Sequence, residues 1–517
     1  MSAIRDYVQQ PFGTFTGLFA LQVAADPEKT AVLCGDAGIS YRELDARADR
    51  IAAALQRDGV KPGGAVAICA AASIDYVAVF IATLRTGAAV APLSPSATAE
   101  QLAGMIADCG ASHIFTDAAV SAHLAPVAAG VGADFIALTE GARGAPLEGW
   151  MAPEGARPEP VGITPDMAFN IIYSSGTTGT PKGIVQSHRM RWPHNQLTDP
   201  PGFGPDAVGL VSTPLYSNTT LVAFLPALAG GGTVVLMPKF DARGFLELAQ
   251  QHRATHAMLV PVQYQRILAV EDFDAFDLAA FRLKYCTSAP FSAELKAEVL
   301  RRWPGGLIEF YGMTEGGGSC VLVAHEHPDK LHTVGKAMPG HDIRVIGPDG
   351  RELPPGEVGE VVGRSGSMMT GYHGRPDKTR EAEWISPQGE RFIRTGDLAK
   401  MDADGFFTIA GRAKDMIISG GMNIYPADLE AVLMEHAAVA DASVVGVPSK
   451  DWGETPVAFV CLSAPDAASA DELLAWANAK LGKMQRLADL RIIDELPRSA
   501  IGKVLKRELQ AGYAAAG

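Results

Sequence analysis

Apolar and polar positions along this chain follow two alternating rhythms. Short apolar runs, the mark of buried strands, give way to longer stretches with apolar residues three and four apart, the mark of helices lying on a sheet. Ser40-Tyr-Arg-Glu43 reads as a capping box, and the helix it opens carries Leu44, Ile51 and Leu55 on one face. Gly59 and Pro62-Gly63-Gly64 end that helix, and Ala65-Val-Ala-Ile-Cys69 is the next strand. Asp75 is placed to cap a helix running to Leu84 and stopped by Gly87. A strand over Ala88–Leu93, a helix from about Ala99 to Cys109 and a strand over Ser112–Phe115 continue the rhythm. Residues 1–165 therefore predict an α/β unit with a doubly wound parallel sheet. Gly141–Pro160, rich in Gly, Pro, Ala and Glu, reads as an exposed connection.

The alternation resumes beyond residue 166. Ala168–Tyr173, Val208–Thr213 and Thr233–Met237 read as strands, Phe240–His252 and Ser292–Trp303 as helices. Between 341 and 410 the helical rhythm stops. Ile343–Ile346, Gly359–Gly363 and Phe406–Ala410 are short strands, with turns at Pro348-Asp-Gly350 and Asp404-Gly405. After Gly411-Arg412 comes a tail of strand Met416–Ile418, helix Ala427–Glu435, strands Ala442–Val447 and Val457–Leu462, and helix Asp471–Leu481. At about 100 residues that tail is long enough to be a domain of its own.

Length and composition narrow the function. A chain of 517 residues exceeds one ordinary core, so two or more domains are expected. The net charge of −14 argues against a general nucleic-acid or membrane-surface role, because polyanions are repelled. It leaves room for a small anionic ligand, which needs only local basic groups. Six cysteines, Cys34, Cys69, Cys109, Cys286, Cys320 and Cys461, are scattered without a Cys-x-x-Cys pair, so a reducing, cytoplasmic setting is expected. No apolar run is long enough to span a bilayer. His325-Glu-His327, with i, i+2 spacing and no third partner, reads as a wet loop rather than a metal site.

The chemistry gathers at Tyr173-Ser-Ser-Gly-Thr-Thr-Gly-Thr-Pro-Lys-Gly183, between an apolar run and Ile184-Val185. Ser174, Ser175, Thr177 and Thr178 offer hydroxyls. Gly176, Gly179 and Gly183 let the backbone N–H groups bend around a phosphate. Lys182 adds a positive charge for the same anion. The string is not a Walker loop, since Pro181 precedes the lysine and Gly183 follows it. Further on stand Ser288-Ala289-Pro290, Glu309-Phe-Tyr-Gly-Met-Thr-Glu315, Gly316-Gly317-Gly318, Arg394-Thr-Gly-Asp397, Gly411-Arg-Ala-Lys-Asp415, Ser419-Gly-Gly-Met-Asn-Ile-Tyr-Pro426 and Leu496-Pro-Arg-Ser-Ala-Ile-Gly-Lys503.

In this order the motifs resemble the adenylate-forming superfamily of acyl- and aryl-CoA synthetases, luciferases and peptide-synthetase adenylation domains, with a pattern nearest the carboxylate–CoA ligases. The resemblance covers nearly the whole chain. It implies a large N-terminal domain over residues 1–411, with a small β-rich subdomain at about 341–410. A hinge at 412–415, centred on Lys414, and a smaller mobile α+β C-terminal domain over 416–517 follow. It assigns Ser174–Gly179 and Lys182 to ATP phosphates, Ser288, Ala289 and Pro290 to the edge of the adenine, Glu309 to cofactor binding, and Tyr311 to stacking on the adenine. Thr314 goes to the α-phosphate, Glu315 to Mg²⁺, and Asp397 and Arg412 to the ribose. Gly420 and Gly421 fall to the pantetheine arm of CoA, and Lys503 to catalysis of adenylate formation.

The resemblance implies a two-step ligase that joins a fatty or aromatic carboxylic acid to coenzyme A through an acyl-adenylate, with ATP, Mg²⁺ and CoA required. The alternative is a free-standing enzyme that loads an acyl or amino acid onto a carrier protein. Where many CoA ligases carry a channel histidine after Pro214-Leu-Tyr216, this chain has Ser217-Asn218, which leaves Tyr216 as a candidate gate. Gly316–Gly318 are expected to leave one pocket wall free of side chains. Lys503 is also implied as a target of a lysine acetyltransferase and deacetylase, in a monomer or homodimer without nucleic-acid partners.

Overall fold

The computed structural model describes residues 2–174, 181–196, 202–419, 422–450, 452–482, 485–499 and 502–516. Among these residues the backbone forms four sheets. The first is nine-stranded. Its parallel centre runs Gly306–Tyr311, Leu283–Cys286, His256–Leu259, Val208–Val211, Thr233–Leu236 and Thr30–Cys34. The second is eight-stranded, with a parallel centre of Ala168–Ser174, Ala89–Pro92, Ala65–Cys69, Ala111–Thr116 and Asp134–Ala137. Antiparallel strands close one edge of the second sheet, Lys182–Ser187 and then Gly371–Tyr372.

A single apolar core joins these two sheets. Val32, Val234 and Leu236 from one and Val66, Ile68, Val90 and Phe169 from the other pack on the same four helices. Those helices are Phe15–Ala25, Tyr41–Arg57, Ile74–Arg85 and Asn218–Ala229. The helix Ile74–Arg85 is apolar all round and buried all round, as a helix between two layers must be. Helices on the outer faces build separate cores with Phe245, Tyr264 and Trp303 on the first sheet and Leu102, Ile106 and Leu124 on the second. Both sheets are thus covered on both faces, as parallel sheets require.

The third sheet is antiparallel, from Asp342–Ile346, Gly359–Arg364, Arg391–Met401, Glu383–Ile385 and Phe407–Arg412. The fourth pairs Met422–Ile424, Ile417–Ser419, Gly453–Leu462, Val439–Ser449 and Asp489–Ile492, with helices Pro426–Met434, Ala470–Lys480 and Lys506–Ala516. Lys414 lies in the 3₁₀ turn Ala413–Asp415 between the third and fourth sheets. No described helix is long and apolar enough to cross a membrane.

Three expectations are corrected. Residues 1–165 are not a self-contained unit, because Thr30–Cys34 pairs with Thr233–Leu236 in the other sheet. Asp75 does not cap its helix. Ser73 does, accepting from the Tyr76 amide at 3.1 Å, and Asp75 turns to Arg47 at 2.6 Å. The connection 141–160 is not wholly exposed: a short helix Leu147–Trp150 buries Trp150, which packs edge-on to Phe115. The capping box at Ser40 and Glu43 forms as expected.

Candidate active site

Lys182 stands at the start of the strand Lys182–Ser187, between Ala168–Ser174 and the edge strand Gly371–Tyr372. Ser174 and Lys182 are paired across the hairpin, and Tyr173 faces Gly183. A Cβ on Gly183 would come within 2.9 Å of Ile171 and 3.2 Å of the Tyr173 ring, so only glycine fits there. The Tyr173 hydroxyl donates to Asp108 at 2.7 Å and to the Met105 carbonyl at 3.0 Å, which anchors the hairpin to the helix Ala99–Asp108. Ser175, Gly176, Thr177, Thr178 and Gly179 lie outside the described residues, and Ser174 is described only in its backbone.

Lys182 places its ammonium 5.0 Å from the centroid of the Tyr372 ring. The Tyr372 hydroxyl in turn donates to Glu315 Oε1 at 2.8 Å. Burial first, then the Glu315 charge, raises the Tyr372 pKa, so this hydroxyl stays a donor. A cation, a ring and a carboxylate therefore stand in successive contact. The Glu315 backbone is fixed too, its carbonyl accepting from the Met369 amide at 2.8 Å.

A second group of polar side chains stands on the third sheet. Asp397 and Arg412 are cross-strand partners, and Arg412 Nε lies 2.8 Å from Asp397 Oδ1. The Tyr311 hydroxyl donates to Asp397 Oδ2 at 2.8 Å. Ser288 holds a positive φ of 82°, a strained backbone for serine of the kind that gathers at functional sites. Its hydroxyl lies 2.5 Å from that of Thr219. Ala289 is half-buried and Pro290 exposed in the same turn.

Lys503 reaches this cleft from the other end of the chain. It sits on a tight turn in which Ser499 N donates to the Lys503 carbonyl and Gly502 N to the Ser499 carbonyl, both at 2.8 Å. Arg498 and Val504 bridge its base. Gly502, at φ +77°, leaves room for Val260 and Val262 of the first sheet's domain to pack within 3.3 Å of where a Cβ would stand. Arg266 and Glu495, 2.5 Å apart, tie the same two domains. Lys503 is exposed to solvent. Desolvation, then Arg412 and Lys414, lower its pKa; Asp397 and Glu315 oppose them. Lys503 therefore lies within electrostatic range of Arg412, Asp397, Glu315 and Lys414.

Other expectations for the site change. Glu309 does not face the nucleotide. It is 3% exposed, and its carboxylate is held by the buried Lys296 ammonium at 2.5 Å. Gly316, Gly317 and Gly318 do not open a pocket wall. A Cβ on Gly316 would meet the Ser367 carbonyl and Met190, one on Gly317 would lie 2.7 Å from Ile393, and one on Gly318 3.2 Å from Ile343. Their lack of side chains lets the chain seat directly on the third sheet. Ser217 spends its hydroxyl on capping the helix Asn218–Ala229, accepting from Thr219 N at 3.3 Å. Tyr216 is bonded toward Ser94 and Ser96, and burial raises its pKa. Gly420 and Gly421 lie outside the described residues.

Three site residues carried no readable signal: Tyr372, Gln186 and Arg191. Tyr372 stands 57 positions from the carboxylate it binds. Gln186 Nε2 donates to the Thr314 carbonyl at 2.7 Å and to Asn218 Oδ1 at 3.3 Å. Arg191, in the helix His188–Asn195, is buried against both Gln186 and Asn218. Only the alternation along Lys182–Ser187, which turns Gln186 inward, could have flagged the second of these.

The comparisons with known proteins agree with this geometry. Residues 19–373 match the AMP-binding enzyme family, and residues 428–503 match the AMP-binding enzyme C-terminal domain. A feruloyl-CoA synthase from an Amycolatopsis species is 34% identical over 492 residues, covering 94% of this chain and 96% of that protein. An indoleacetate–CoA ligase from Aromatoleum aromaticum is 32% identical over 503 residues, covering 94% and 95%. The crystal structure of ATP-bound MatB from Rhodopseudomonas palustris superposes with a TM-score of 0.85 at 32% identity, over 96% of this chain and 99% of that one. On its sequence and its fold together, the chain belongs to the AMP-binding enzyme family.

Proposed function

We infer that this protein is an AMP-forming acid–CoA ligase acting on an aromatic carboxylic acid. The acid's carboxylate attacks the α-phosphorus of ATP, an acyl-adenylate forms and pyrophosphate leaves. The CoA sulfur then attacks the acyl carbonyl and AMP leaves. The observation that supports this reading is that Lys503, from the C-terminal domain, packs its turn on Val260 and Val262 of the large domain and feels the charges of Arg412, Asp397 and Glu315. A carboxylate and a phosphate, both anionic, meet only at a cost, and a cation between them lowers it most where charge concentrates in the transition state. Lys182 serves the departing pyrophosphate from the opposite wall. Tyr311, Asp397 and Arg412 hold the nucleoside, and Thr314 stands at the α-phosphate. The names of the feruloyl- and indoleacetate-activating relatives support an aromatic acid.

The donor set fits Mg²⁺. Glu315 offers a hard oxygen beside Lys182, and Mg²⁺ is commonly held by one carboxylate, substrate phosphates and water. Bound there it would offset phosphate charge. For the second step, rotation about Lys414 would withdraw Lys503 and bring Gly420 and Gly421 toward the thiol. Acetylation of Lys503 would remove its charge and halt the first step.

The test is acid-dependent ATP–pyrophosphate exchange over fatty, aryl and dicarboxylic acids, with AMP and thioester followed with and without CoA. Exchange and CoA-dependent thioester from aryl acids are expected. Exchange without transfer to CoA would move the reading to carrier-protein loading, and no exchange with any acid would overturn it.

A further inference from the structure

Beside Thr314 lies a buried charge that the two-step reaction does not use. Arg191 is 1% exposed, and among the described residues no carboxylate lies within ion-pair distance of it. Its partners are neutral. Nε donates to Asn170 Oδ1 at 3.2 Å, and Nη2 donates to Gln186 Oε1 and, at 2.7 Å, to Asn218 Oδ1. Nη1 is buried without a partner among the described residues. Burial pulls the guanidinium down only to about 9, so it stays charged at neutral pH. An unneutralised buried cation is costly and calls for an explanation.

That cation fixes the direction of every amide around it. A guanidinium only donates, so the atom each amide turns to it is oxygen. Asn170 then donates through Nδ2 to Gln186 Oε1 at 2.9 Å, and Gln186 Nε2 points to the Thr314 carbonyl and Asn218 Oδ1. Asn218 must present its Nδ2 on the side away from Arg191. Asn218 is only half-buried, and this nitrogen has no partner among the described residues. Its place is set on three sides. Asn218 opens the helix Asn218–Ala229, its neighbour Thr219 is bonded to Ser288, and Gln186 bonds both its oxygen and the Thr314 carbonyl. A locked donor backed by a full positive charge therefore faces the cleft beside the adenylate-forming residues. His194, one turn on from Arg191, adds a buried Nδ1 without a partner among the described residues.

We propose that Asn218 and Arg191 form a specificity subsite for a second hydrogen-bond acceptor, anionic by preference, on the acid this enzyme activates. Asn218 touches the acid. Arg191 is a positioning residue, which holds the amide with its nitrogen outward and lends it positive potential. This rests on the ligase reading above and narrows its substrate to aryl acids that carry a carboxylate or hydroxyl besides the reacting carboxylate.

The experiment measures kcat/KM for acid-dependent pyrophosphate release with the full-length enzyme, on one aryl skeleton carrying hydrogen, hydroxyl or a second carboxylate. The wild type should favour the acceptor-bearing acids by about 10–100-fold, the order one donor supplies at a half-exposed site. Asn218→Leu should bring the ratio near one, mainly through KM. Arg191→Met should do the same without touching the acid, and Arg191→Lys should restore part of the ratio. Asn218→Asp, which neutralises Arg191 and offers an acceptor instead, should reverse the preference. Thermal melting of each variant separates folding from selectivity, and the half-buried Asn218 variants serve if the Arg191 variants melt early. The proposal is overturned if wild type and Asn218→Leu show the same ratio, or if Arg191→Met lowers all three acids by one factor. Failure of every acid would overturn the ligase reading itself, whereas turnover with an unchanged ratio would overturn only the subsite.

Discussion

Two of the charged sites that the large domain buries are built in opposite ways. Lys296 and Glu309, 1% and 4% exposed in their side chains, neutralise each other at 2.5 Å. Lys296 also donates to the Leu331 and Thr333 carbonyls at 2.7 and 2.9 Å. Arg191 is equally buried but meets amide oxygens and the Phe169 ring, with no carboxylate partner among the described residues. The first site closes on itself and joins the helix Ala293–Arg302 to the strand Gly306–Tyr311. The second is left positive beside Thr314, with a donor facing out. A buried pair is scaffold because nothing is left over to bind. A buried cation among amides carries a charge that a ligand can answer.

Breaking the pair should have the largest effect. Glu309→Gln leaves Lys296 as an unpaired buried cation, and such removals cost about 3–5 kcal/mol. Denaturant unfolding should show that loss in the midpoint, while the acid preference of the remaining enzyme stays the same. Burial raises the Glu309 pKa and Lys296 opposes the rise. A change in acid preference with no loss of stability would return Glu309 to the active site.

The next effect separates the two half-reactions. Lys503→Ala should lower acid-dependent pyrophosphate exchange by at least about 10²–10³-fold, the scale of losing one preorganised charge-stabilising donor. Thioester formation from supplied acyl-adenylate should survive. Equal losses in both assays would mean that Lys503 serves the fold or both steps alike.

The same contrast explains what was legible in the sequence. Alternating rhythm located strands such as Ala65–Cys69 and helices such as Tyr41–Arg57, because each is set by its own residues. It did not mark the buried helices Phe15–Ala25 and Asn218–Ala229 or the central strands His256–Leu259 and Leu283–Cys286. It could not show that Thr30–Cys34 leaves its neighbours to pair with Thr233–Leu236, since sheet membership depends on contacts about 200 positions apart. Motifs located Lys182, Glu315, Asp397, Arg412 and Lys503. Glu309 was misplaced because a motif reports proximity in sequence and not which way a side chain turns. Tyr372, Gln186 and Arg191 were missed because their roles exist only where distant strands meet. Gly316–Gly318 illustrate a further ambiguity: a missing side chain makes room for a ligand or for another backbone, and sequence does not distinguish them.

Gly317 tests that ambiguity with a smaller effect. A Cβ there would stand 2.7 Å from the Ile393 Cβ and 3.2 Å from the Gly363 carbonyl, neither of them the free end of a flexible side chain. Gly317→Ala should therefore cost about 1–3 kcal/mol, as overpacking does, through a loosened third sheet. The ratio of kcat/KM values between long and short acids should not move. A shortened acid profile at unchanged stability would restore the glycines to the pocket.

The smallest effect sharpens the other wall of the cleft. Tyr372 stands between Lys182 and Glu315, and it does two separable things. Its ring lies under the Lys182 ammonium, and its hydroxyl donates to the Glu315 carboxylate. Tyr372→Phe keeps the ring and removes only the hydroxyl. The carboxylate loses one charge-assisted hydrogen bond, of order 1.5 kcal/mol where water can replace it in part, so exchange should fall about tenfold. Because Glu315 is the residue assigned to Mg²⁺, the loss should appear as a raised Mg²⁺ requirement, and saturating Mg²⁺ should recover most of the rate. Tyr372→Leu removes the ring as well and should add a rise in the KM for ATP that Mg²⁺ does not correct. If Phe and Leu behave alike, the ring contributes nothing and Lys182 is positioned by its own strand. If Tyr372→Phe leaves the Mg²⁺ requirement unchanged, the hydroxyl does not orient Glu315, and the line from cation through ring to carboxylate is packing alone.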